Sequence, residues 1–304
     1  MRIIFIIWLM TSFAGIAQQD AIYSQYMFNP FAINPAYAGS RDAVNIVVVN
    51  RSQWVGLTGA PSTQTISGHV PMNRNNLAWG FNISRDKIGP ASNLLAAATG
   101  AYQLKLYKGT LTFGLRGGIY NSMIDHGQLN FREDDDVLDH NERMSSIVPT
   151  FDFGLYYYTE RFYAGLSSNH ITKHRFNYSK LANNQAYYLR RHTFLAAGYV
   201  FEINRDIQLK PSILLKHGGG MVLNADVNVN ALFKELFWLG IGLRNLSSLN
   251  FLIDFNVTDY LRVGYSYDMT LNKLQNYSHG SHEIIIGFDF NLKKSSNILS
   301  PRLL

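Results

Sequence analysis

Acidic side chains form the densest group of residues in this sequence that could bind a metal ion. The stretch FREDDDVLDHNE supplies carboxylate oxygens of the kind that calcium prefers, from Glu133, Asp134, Asp135, Asp136, Asp139 and Glu142. It lacks the ligand spacing and the central glycine of an EF-hand. A solvated loop is therefore the favoured interpretation of this stretch.

Histidine residues offer two further groups of candidate ligands. His170 and His174 lie one helical turn apart in numbering, and His279 shortly precedes the adjacent pair His282 and Glu283. Neither group lies on a predicted helix with a third ligand, so the spacing does not favour zinc.

A hydrolase would need a serine, a histidine and an acid brought together. Ser281, His282 and Glu283 are adjacent on a predicted strand, where neighbouring side chains point to opposite faces, so they cannot form a catalytic relay. The sequence contains no GxSxG stretch, phosphate-binding loop or dinucleotide fingerprint. It therefore predicts a protein that is not an enzyme and that uses no metal or cofactor.

Composition excludes further classes of function. The 304 residues include no cysteine, which excludes thiolate chemistry, disulfides and every metal motif that uses cysteine. The net charge of +6 is spread along the chain, whereas nucleic-acid-binding proteins gather basic residues on one face or arm. Charged residues make up only 16% of the chain. The mean hydropathy is nevertheless close to zero, at -0.07, so the chain is not uniformly apolar. This mixture predicts a protein with two differently solvated faces and no nucleic-acid partner.

The N-terminus predicts export. Arg2 precedes an apolar run from Ile3 to Met10, and small residues follow as far as Ala17. This order is typical of a secretory signal peptide over residues 1–17, since the apolar run is short for the alternative, a membrane anchor. No later stretch approaches the roughly 20 apolar residues that a spanning helix needs.

The rest of the chain repeats the period of a β-strand. In NLAWGFNIS, apolar residues alternate with small or polar ones from Leu77 to Ile83, and the same period recurs in TLTFGLRGGIY, LNADVNVNALF and LRVGYSYDMT. These segments are about nine or more residues long, which is the length expected of tilted strands that cross a bilayer core. Strands in soluble sandwiches are typically shorter, at about five or six residues. The pattern predicts about fourteen strands, near residues 43–51, 62–70, 76–85, 92–106, 110–121, 148–158, 161–169, 187–201, 206–217, 221–233, 236–245, 249–257, 260–270 and 280–291.

The connections between these strands alternate between long and short, as they do in outer-membrane barrels. We therefore predict an all-β protein, a transmembrane antiparallel β-barrel of about fourteen strands over residues 43–292, with a basic periplasmic tail at 293–304. An even strand count predicts that both termini are periplasmic. An interfacial girdle of aromatic residues is expected around one short turn, at Tyr156, Tyr157, Tyr158, Phe162 and Tyr163.

The polar face of the strands predicts the content of the lumen. A barrel of about fourteen strands is wider than the eight-stranded barrels whose interior side chains fill the space alone, so a further element must occupy it. The residues expected to face inward are Asn82, Thr112, Arg116, Asp152, Asn224, Asp226, Asn228, Asn230, Arg262, Asp268 and Glu283.

The opening of the mature chain resembles a known family. YSQYMFNPFAINPAYAGS, followed by NRSQWVGLTGAPSTQTISGHVP, is similar to the start of the PorP/SprF family of type IX secretion and gliding-motility proteins. SRDKIGPAS, FGLYYYTERFYAGLSSNHI, LKPSILLKH, FWLGIGLRN, RVGYSYDMT and SHGSHEIIIGFDF resemble later blocks of the family in the same order. The resemblance implies a non-catalytic outer-membrane barrel of a Gram-negative bacterium. Its partners would be a secreted adhesin or the adhesin's C-terminal sorting domain, other secretion components, and membrane lipid.

Residues 18–42 are the candidate for the element in the lumen. Prolines there would stiffen an extended path and asparagines would hydrogen-bond a polar wall, which predicts a plug or periplasmic collar. A structural cap without partner contacts is the alternative. The predicted plug residues are Tyr23, Ser24, Gln25, Tyr26, Phe28, Asn29, Pro30, Asn34, Pro35, Tyr37 and Gly39.

An external loop supplies the other candidate site. Arg51, Gln53 and Trp54 in RSQWVGLTGAP are predicted to contact a partner, because Trp and Arg are favoured at binding hot spots. A channel for small or hydrophobic solutes, similar to outer-membrane fatty-acid channels of the FadL type, is the alternative function, with the N-terminal stretch as a movable plug.

Overall fold

The computed structural model describes residues 23–41, 43–72, 75–128, 143–176, 188–218 and 223–291. The predicted signal peptide, the acidic residues Glu133 to Glu142 and the basic tail at 293–304 lie outside the described residues. Among the residues described, no helix is long and apolar enough to cross a membrane.

The described part of the chain forms one antiparallel sheet that closes on itself. Its strand segments are β1 (Ala43–Ser52), β2 (Ser62–Met72), β3 (Leu77–Ile88), β4 (Ala91–Leu106), β5 (Gly109–Asp125), β6 (Arg143–Tyr158), β7 (Phe162–Asn169), β8 (His192–Tyr199), β9 (Phe201–Glu202), β10 (Ile207–Gly218), β11 (Asn224–Phe233), β12 (Phe237–Arg244), β13 (Ser248–Asn256), β14 (Leu261–Thr270) and β15 (Ser281–Asn291). Segments β8 and β9 both pair with β10 and together make one strand of the wall. Pairing of β1 with β15 closes the barrel. The described residues thus confirm the predicted antiparallel barrel of fourteen strands.

Closure gives the first and the last wall strand a hydrogen-bonded partner on each side. An open edge in lipid would leave N–H and C=O groups unpaired, each at a cost of several kcal/mol. The register runs from Ala43 opposite Asn291 to Ser52 opposite His282 across the closing pair. The closing strands therefore pair along the whole of β1.

The two faces of the wall differ in polarity, as the alternation predicted. Trp79 is 54% exposed, and Phe81 and Ile83 on the same face are also exposed. Asn82 and Asp86 on the opposite face of β3 are buried. An apolar outer face and a polar inner face are what lipid outside and a polar lumen inside require.

All the longer connections lie at one end of the barrel, although that end also carries the short connections 89–90 and 245–247. The short-turn end carries the connections at 73–76, 107–108, 159–161, 203–206, 234–236 and 257–260. The long-connection end carries 53–61, 89–90, 126–142, 170–191, 219–223, 245–247 and 271–280. The start of β1 and the end of β15 lie at the short-turn end, since consecutive antiparallel strands alternate in direction.

Two connections differ from the prediction. The stretch RDKIGPA was expected to be a long loop, but β3 and β4 continue through it in register to Ile88 opposite Ala91. Arg85 and Lys87 therefore belong to a strand. The strand expected at 187–201 begins its regular pairing only at His192, and Tyr188 makes an isolated bridge with Arg175.

The predicted aromatic girdle is present only in part at its expected residues. Tyr157 and Phe162 contact each other on the outer face, with ring centroids 6.4 Å apart. Tyr156 and Tyr163 are 2% and 3% exposed and face inward. Strand alternation requires this split, because adjacent residues cannot share a face. Further outward aromatic pairs near the short-turn end are Tyr199–Phe201, Phe233–Phe237, Phe237–Phe255 and Tyr260–Phe290.

Candidate functional site

Residues 23–41, here called the N-terminal segment, are mostly buried among the inward-facing side chains of the wall. The segment contains two 3₁₀ turns, Pro30–Ala32 and Pro35–Tyr37, each with proline at its first position. Proline suits that position because its missing N–H would have no partner in the turn. The Asn34 side chain caps the second turn by accepting a hydrogen bond of 2.9 Å from the Ala36 N–H.

Backbone amides of the N-terminal segment bind a buried carboxylate near the long-connection end. The N–H groups of Ser24 and Gln25 each donate a 2.8 Å hydrogen bond to the Glu283 carboxylate. The Ser24 hydroxyl donates to Asp268 at 2.6 Å. These charge-assisted bonds attach the start of the segment to β14 and β15.

A buried ionic cluster surrounds this attachment point. It consists of Arg51, Lys216, Asp226, Arg244, Asp268 and Glu283. Arg51 donates to Asp268 at 2.7 Å, to Glu283 at 3.0 Å and to the Ser24 hydroxyl at 2.7 Å. Three cations face three anions, so the charges balance within the cluster. Balance matters because an unpaired buried charge is strongly destabilising.

Arg244 joins the cluster to the segment backbone. Its guanidinium donates to the Tyr23 carbonyl at 3.0 Å and to Asp226 at 3.0 Å. Lys216 donates to the same Asp226 carboxylate at 2.7 Å. The sequence-based list of lumen residues omitted Arg244 and Lys216, although Arg244 shares its parity on β12 with the inward-facing Trp238.

Two tyrosines of the segment are held as neutral phenols. Burial raises the pKa of Tyr26 to about 12, and burial also raises the pKa of Tyr23. The Tyr26 hydroxyl accepts a 2.8 Å hydrogen bond from the Asn228 side chain. The Tyr23 hydroxyl lies 2.7 Å from the Thr65 hydroxyl. Both tyrosines therefore contact the wall through uncharged hydrogen bonds.

Two arginines of the wall contact the segment at the first 3₁₀ turn and just before it. Arg262 lies over the Phe28 ring at 4.9 Å and donates to the Phe28 carbonyl at 3.0 Å. Arg116 lies over the Phe31 ring at 5.1 Å, donates to the Phe31 carbonyl, and donates to the Ala32 carbonyl at 3.1 Å. Each guanidinium thus combines a cation–π contact with a backbone hydrogen bond.

Polar contacts continue around the rest of the segment. Asn29 donates to the Ser67 hydroxyl at 3.2 Å, and Asn34 donates to the Leu155 carbonyl at 3.0 Å. The Ser167 hydroxyl donates to the Ile33 carbonyl at 2.8 Å. At these two positions, asparagine side chains of the segment hydrogen-bond the wall.

The end of the segment is attached near the short-turn end. Arg41 pairs with Asp289 at 2.7 Å, and the Tyr37 ring meets the Tyr156 ring edge-on at 5.2 Å. Gly39 has φ +75°, a conformation that favours glycine. Its carbonyl accepts a 2.6 Å hydrogen bond from Gln103. The side chain of Tyr156 was expected to face outward but points into the barrel, where it makes the contact with Tyr37.

The segment therefore runs along the lumen from one end to the other. Tyr23 to Gln25 contact residues near the long-connection end, and Gly39 to Arg41 contact residues near the short-turn end. Its partners lie on strands around the wall, including β2, β5, β7, β11 and β15.

A glycine in the wall makes room for the second 3₁₀ turn. A Cβ at Gly114 on β5 would overlap the backbone of Pro35 and Ala36. Gly117 on the same strand faces outward, and a Cβ there would meet the Phe151 ring at an ordinary 3.5 Å. The inward glycine thus fits the close approach of the segment.

The three predicted partner-binding residues do not share one environment. Arg51 is 1% exposed and contacts the N-terminal segment, which differs from the prediction of an exposed external contact. Gln53 and Trp54 are half-buried in the 53–61 connection. Alternation separates Arg51 from the loop residues that follow, because its side chain points into the barrel.

The 53–61 connection is attached to its neighbour at the long-connection end. The Val55 N–H donates to the Gly280 carbonyl at 2.8 Å, and the His279 N–H donates to the Val55 carbonyl at 2.7 Å. The Trp54 N–H donates to the Ser281 hydroxyl at 3.1 Å. Trp54 is therefore held on a structured loop.

The candidate catalytic residues point apart, as predicted. Glu283 faces inward to Ser24, whereas His282 faces outward with its Nδ1 2.6 Å from the Tyr265 hydroxyl. His170 is buried with its Nδ1 2.7 Å from the Thr150 hydroxyl. Within the described ranges, no three His, Asp or Glu side chains form a group able to hold a metal ion.

Comparison with known proteins identifies the family. The family model of the type IX secretion system membrane protein PorP/SprF matches residues 15–288. The chain belongs to the PorP/SprF family. None of the curated proteins is a significant match to this PorP/SprF chain.

Solved structures similar to this PorP/SprF protein are barrels. The CymD monoaromatic hydrocarbon channel superposes with a TM-score of 0.52 at 13% identity, over 91% of this chain and 94% of that chain. The Omp33 outer membrane protein of Acinetobacter baumannii gives a TM-score of 0.45 at 9% identity, over 82% of this chain and 99% of that chain. At 13% identity, the likeness to the CymD channel shows the fold alone.

Proposed function

We propose that this protein is a non-catalytic outer-membrane barrel that supports type IX secretion and anchors a partner, such as a gliding adhesin, at the cell surface. One observation carries the proposal. The N-terminal segment crosses the lumen. Its start is held by hydrogen bonds to the buried carboxylates of Asp268 and Glu283, and its end by the Arg41–Asp289 ion pair. A lumen filled in this way favours a function on the outer surfaces of the barrel, through contact with other proteins.

The organisation proposed for the chain rests on this observation and on the sequence pattern at the two ends. Residues 1–17 are the signal peptide, 18–42 the plug, 43–292 the barrel and 293–304 a basic periplasmic tail. The short-turn end is the periplasmic end, in keeping with short periplasmic turns in such barrels. Tyr23 lies near the long-connection end, opposite the proposed periplasmic start of β1.

The partners proposed are a secreted adhesin or its C-terminal sorting domain at the long-connection end, and other secretion components at the periplasmic end. Trp54 is the preferred contact for the adhesin, because aromatic anchors on structured loops dominate many interfaces. Nucleic acid is not among the partners proposed.

A channel is the second candidate function, since the CymD protein of similar fold is a monoaromatic hydrocarbon channel. The contacts of the lumen argue against it. A cavity beside Tyr23 and Ile33 has a volume of about 60 Å³ and includes Asp152 and Arg116 in its lining. Ligand pockets typically measure about 300–1,000 Å³. This cavity is therefore too small for a hydrocarbon ligand unless the segment moves.

Purification from native membranes, combined with current recordings in planar bilayers, tests the proposed function. We expect a co-purifying surface protein and no steady current. Steady current without a co-purifying protein would support the channel. Deleting residues 18–41 distinguishes a functional plug from a purely structural cap. Loss of secretion from cells in which the barrel inserts normally would support the plug. A less stable barrel with normal secretion would support the cap.

Substituting the loop tests the proposed contact. Trp54→Ala is expected to lower recovery of the partner about tenfold or more, as hot-spot truncations cost roughly 2 kcal/mol or more. Tyr107→Ala at the opposite end, where Tyr107 is fully exposed, is the matched control and should leave recovery unchanged. Equal recovery from both variants would place the contact elsewhere.

A further inference from the structure

Two cations on the outer face of β3 lack ionic partners. Arg85 and Lys87 are exposed and lie on the same outward face as Trp79 and Ile83. Within the described residues, neither cation forms an ion pair. Asp86 between them faces inward and accepts a 2.5 Å hydrogen bond from Thr63.

Two other exposed arginines, one on β6 and one in the turn at 159–161, do have ionic partners. Arg143 pairs with Asp125 at 3.2 Å, and Arg161 pairs with Glu202 at 2.9 Å. Arg85 and Lys87 thus differ from these arginines in offering uncompensated positive charge on the outer face.

The position of the pair along β3 corresponds to the edge of a bilayer core. Arg85 follows the short turn at Asn76 after nine residues. A rise of about 3.4 Å per residue and a tilt of about 40° put it about 23 Å from that turn. The apolar band of such barrels is about 25 Å tall, so Arg85 lies at its edge and Lys87, two residues farther along the strand, lies beyond it.

The neighbouring strand β2 shows the same change from apolar to polar, and on β4 the change comes one outward step later, from Leu94 to Ser92. Ile66 and Ile83 lie side by side on the outer face, and the next outward pair is Gln64 and Arg85. Lys87 then lies opposite Ser62. The aromatic pairs occupy the other edge of the apolar band, at the short-turn end.

We propose that Arg85 and Lys87 form a binding site for the phosphate of an anionic lipid at the long-connection end of the barrel. Arg presents paired N–H donors that match phosphate oxygens, and Lys87 adds a second charge two residues farther along the strand. The exposed Ile66 and Ile83 lie one outward step closer to the bilayer core, and the exposed Leu94 lies beside Arg85 on β4, where they contact the acyl chains of the same lipid. This site goes beyond the proposed secretion role and does not depend on it.

The full-length barrel in nanodiscs of phosphatidylcholine, with or without phosphatidic acid, tests the site. The amount of phosphatidic acid that stays bound through extraction into detergent is measured by native mass spectrometry. Arg85→Gln with Lys87→Gln is expected to weaken retention about thirtyfold. Charge-conserving Arg85→Lys with Lys87→Arg should keep most of the retention, and it tests the site if the glutamine variant fails to fold.

The matched control removes two cations from the other end of the barrel. Lys105 and Lys108 are exposed beside the short turn at 107–108. Lys105→Gln with Lys108→Gln should leave lipid retention unchanged. An equal loss in both double variants, or unchanged retention in Arg85→Gln with Lys87→Gln, would overturn the proposal. Displacement of the lipid by inorganic phosphate alone would also overturn it, because the site would then bind free phosphate.

Discussion

Adjacent residues of one strand face different environments in this barrel, the polar lumen and the outer surface. Glu283 reaches Ser24 in the lumen, while His282 reaches Tyr265 on the outer face. Inward residues gain their stability from mutual compensation of charge. Arg51 shows this most clearly, because its guanidinium contacts two carboxylates and a hydroxyl of the N-terminal segment.

Replacing Arg51 by methionine tests the ionic cluster at the scale of one residue. The change removes the guanidinium that pairs with both Asp268 and Glu283, so these buried carboxylates lose their nearest positive charge. Breaking a buried pair in this way typically costs about 3–5 kcal/mol. We expect a loss of that size in the free energy of unfolding, measured by urea titration of the refolded barrel.

An exposed ion pair provides the control for Arg51. Arg161 and Glu202 have side chains 54% and 49% exposed, so Arg161→Met should cost less than about 1 kcal/mol. Similar losses for Arg51→Met and Arg161→Met would show that the cluster contributes no more than a surface pair.

The N-terminal segment is the element that sets this barrel apart from a bare cylinder. Its irregular backbone satisfies its own polar groups through two 3₁₀ turns and through side chains of the wall. The wall in turn provides space, as Gly114 does beside Pro35 and Ala36. The segment and the wall therefore have complementary shapes where they meet.

A valine at Gly114 tests that fit. Its side chain would overlap the second 3₁₀ turn, so the segment is expected to be displaced while the wall remains paired. We expect current through Gly114→Val in planar bilayers where the parent protein shows none. Gly117→Val on the outer face of the same strand should stay closed, and current through both variants would mean that damage to β5 itself opens the barrel.

At the scale of the whole molecule, the two ends of the barrel are chemically distinct. The short-turn end carries the aromatic pairs, and the long-connection end carries the hydrogen-bonded loops at 53–61 and 271–280. Such asymmetry is expected of a protein that meets a different compartment at each end.

Single cysteines test the orientation, since the chain contains none of its own. Tyr277 at the long-connection end is 71% exposed and Tyr107 at the short-turn end is 99% exposed. A membrane-impermeant maleimide should label Tyr277→Cys on intact cells. It should label Tyr107→Cys only after the outer membrane is permeabilised, and the reverse pattern would invert the proposed orientation.

Much of the wall could be predicted from the sequence because strand periodicity is local. Alternation assigned Trp79 to the outside and Asn82 to the inside without knowledge of any other strand. Alternation also predicted that Glu283 and His282 diverge. The same rule, applied strictly, would have turned Tyr156 and Tyr163 inward and removed them from the girdle.

The sequence by itself determined the strand number, the polarity of the two faces and the candidate occupant of the lumen, because these depend on neighbours in the chain. Only the tertiary structure decided which wall residues meet the N-terminal segment. Ser24 and Glu283 are 259 positions apart and meet because the first and last strands pair. The burial of Arg51 was decided in the same way, since its partners come from β14, β15 and the segment. Such contacts depend on the circumference and register of the closed barrel, which no single stretch of sequence specifies.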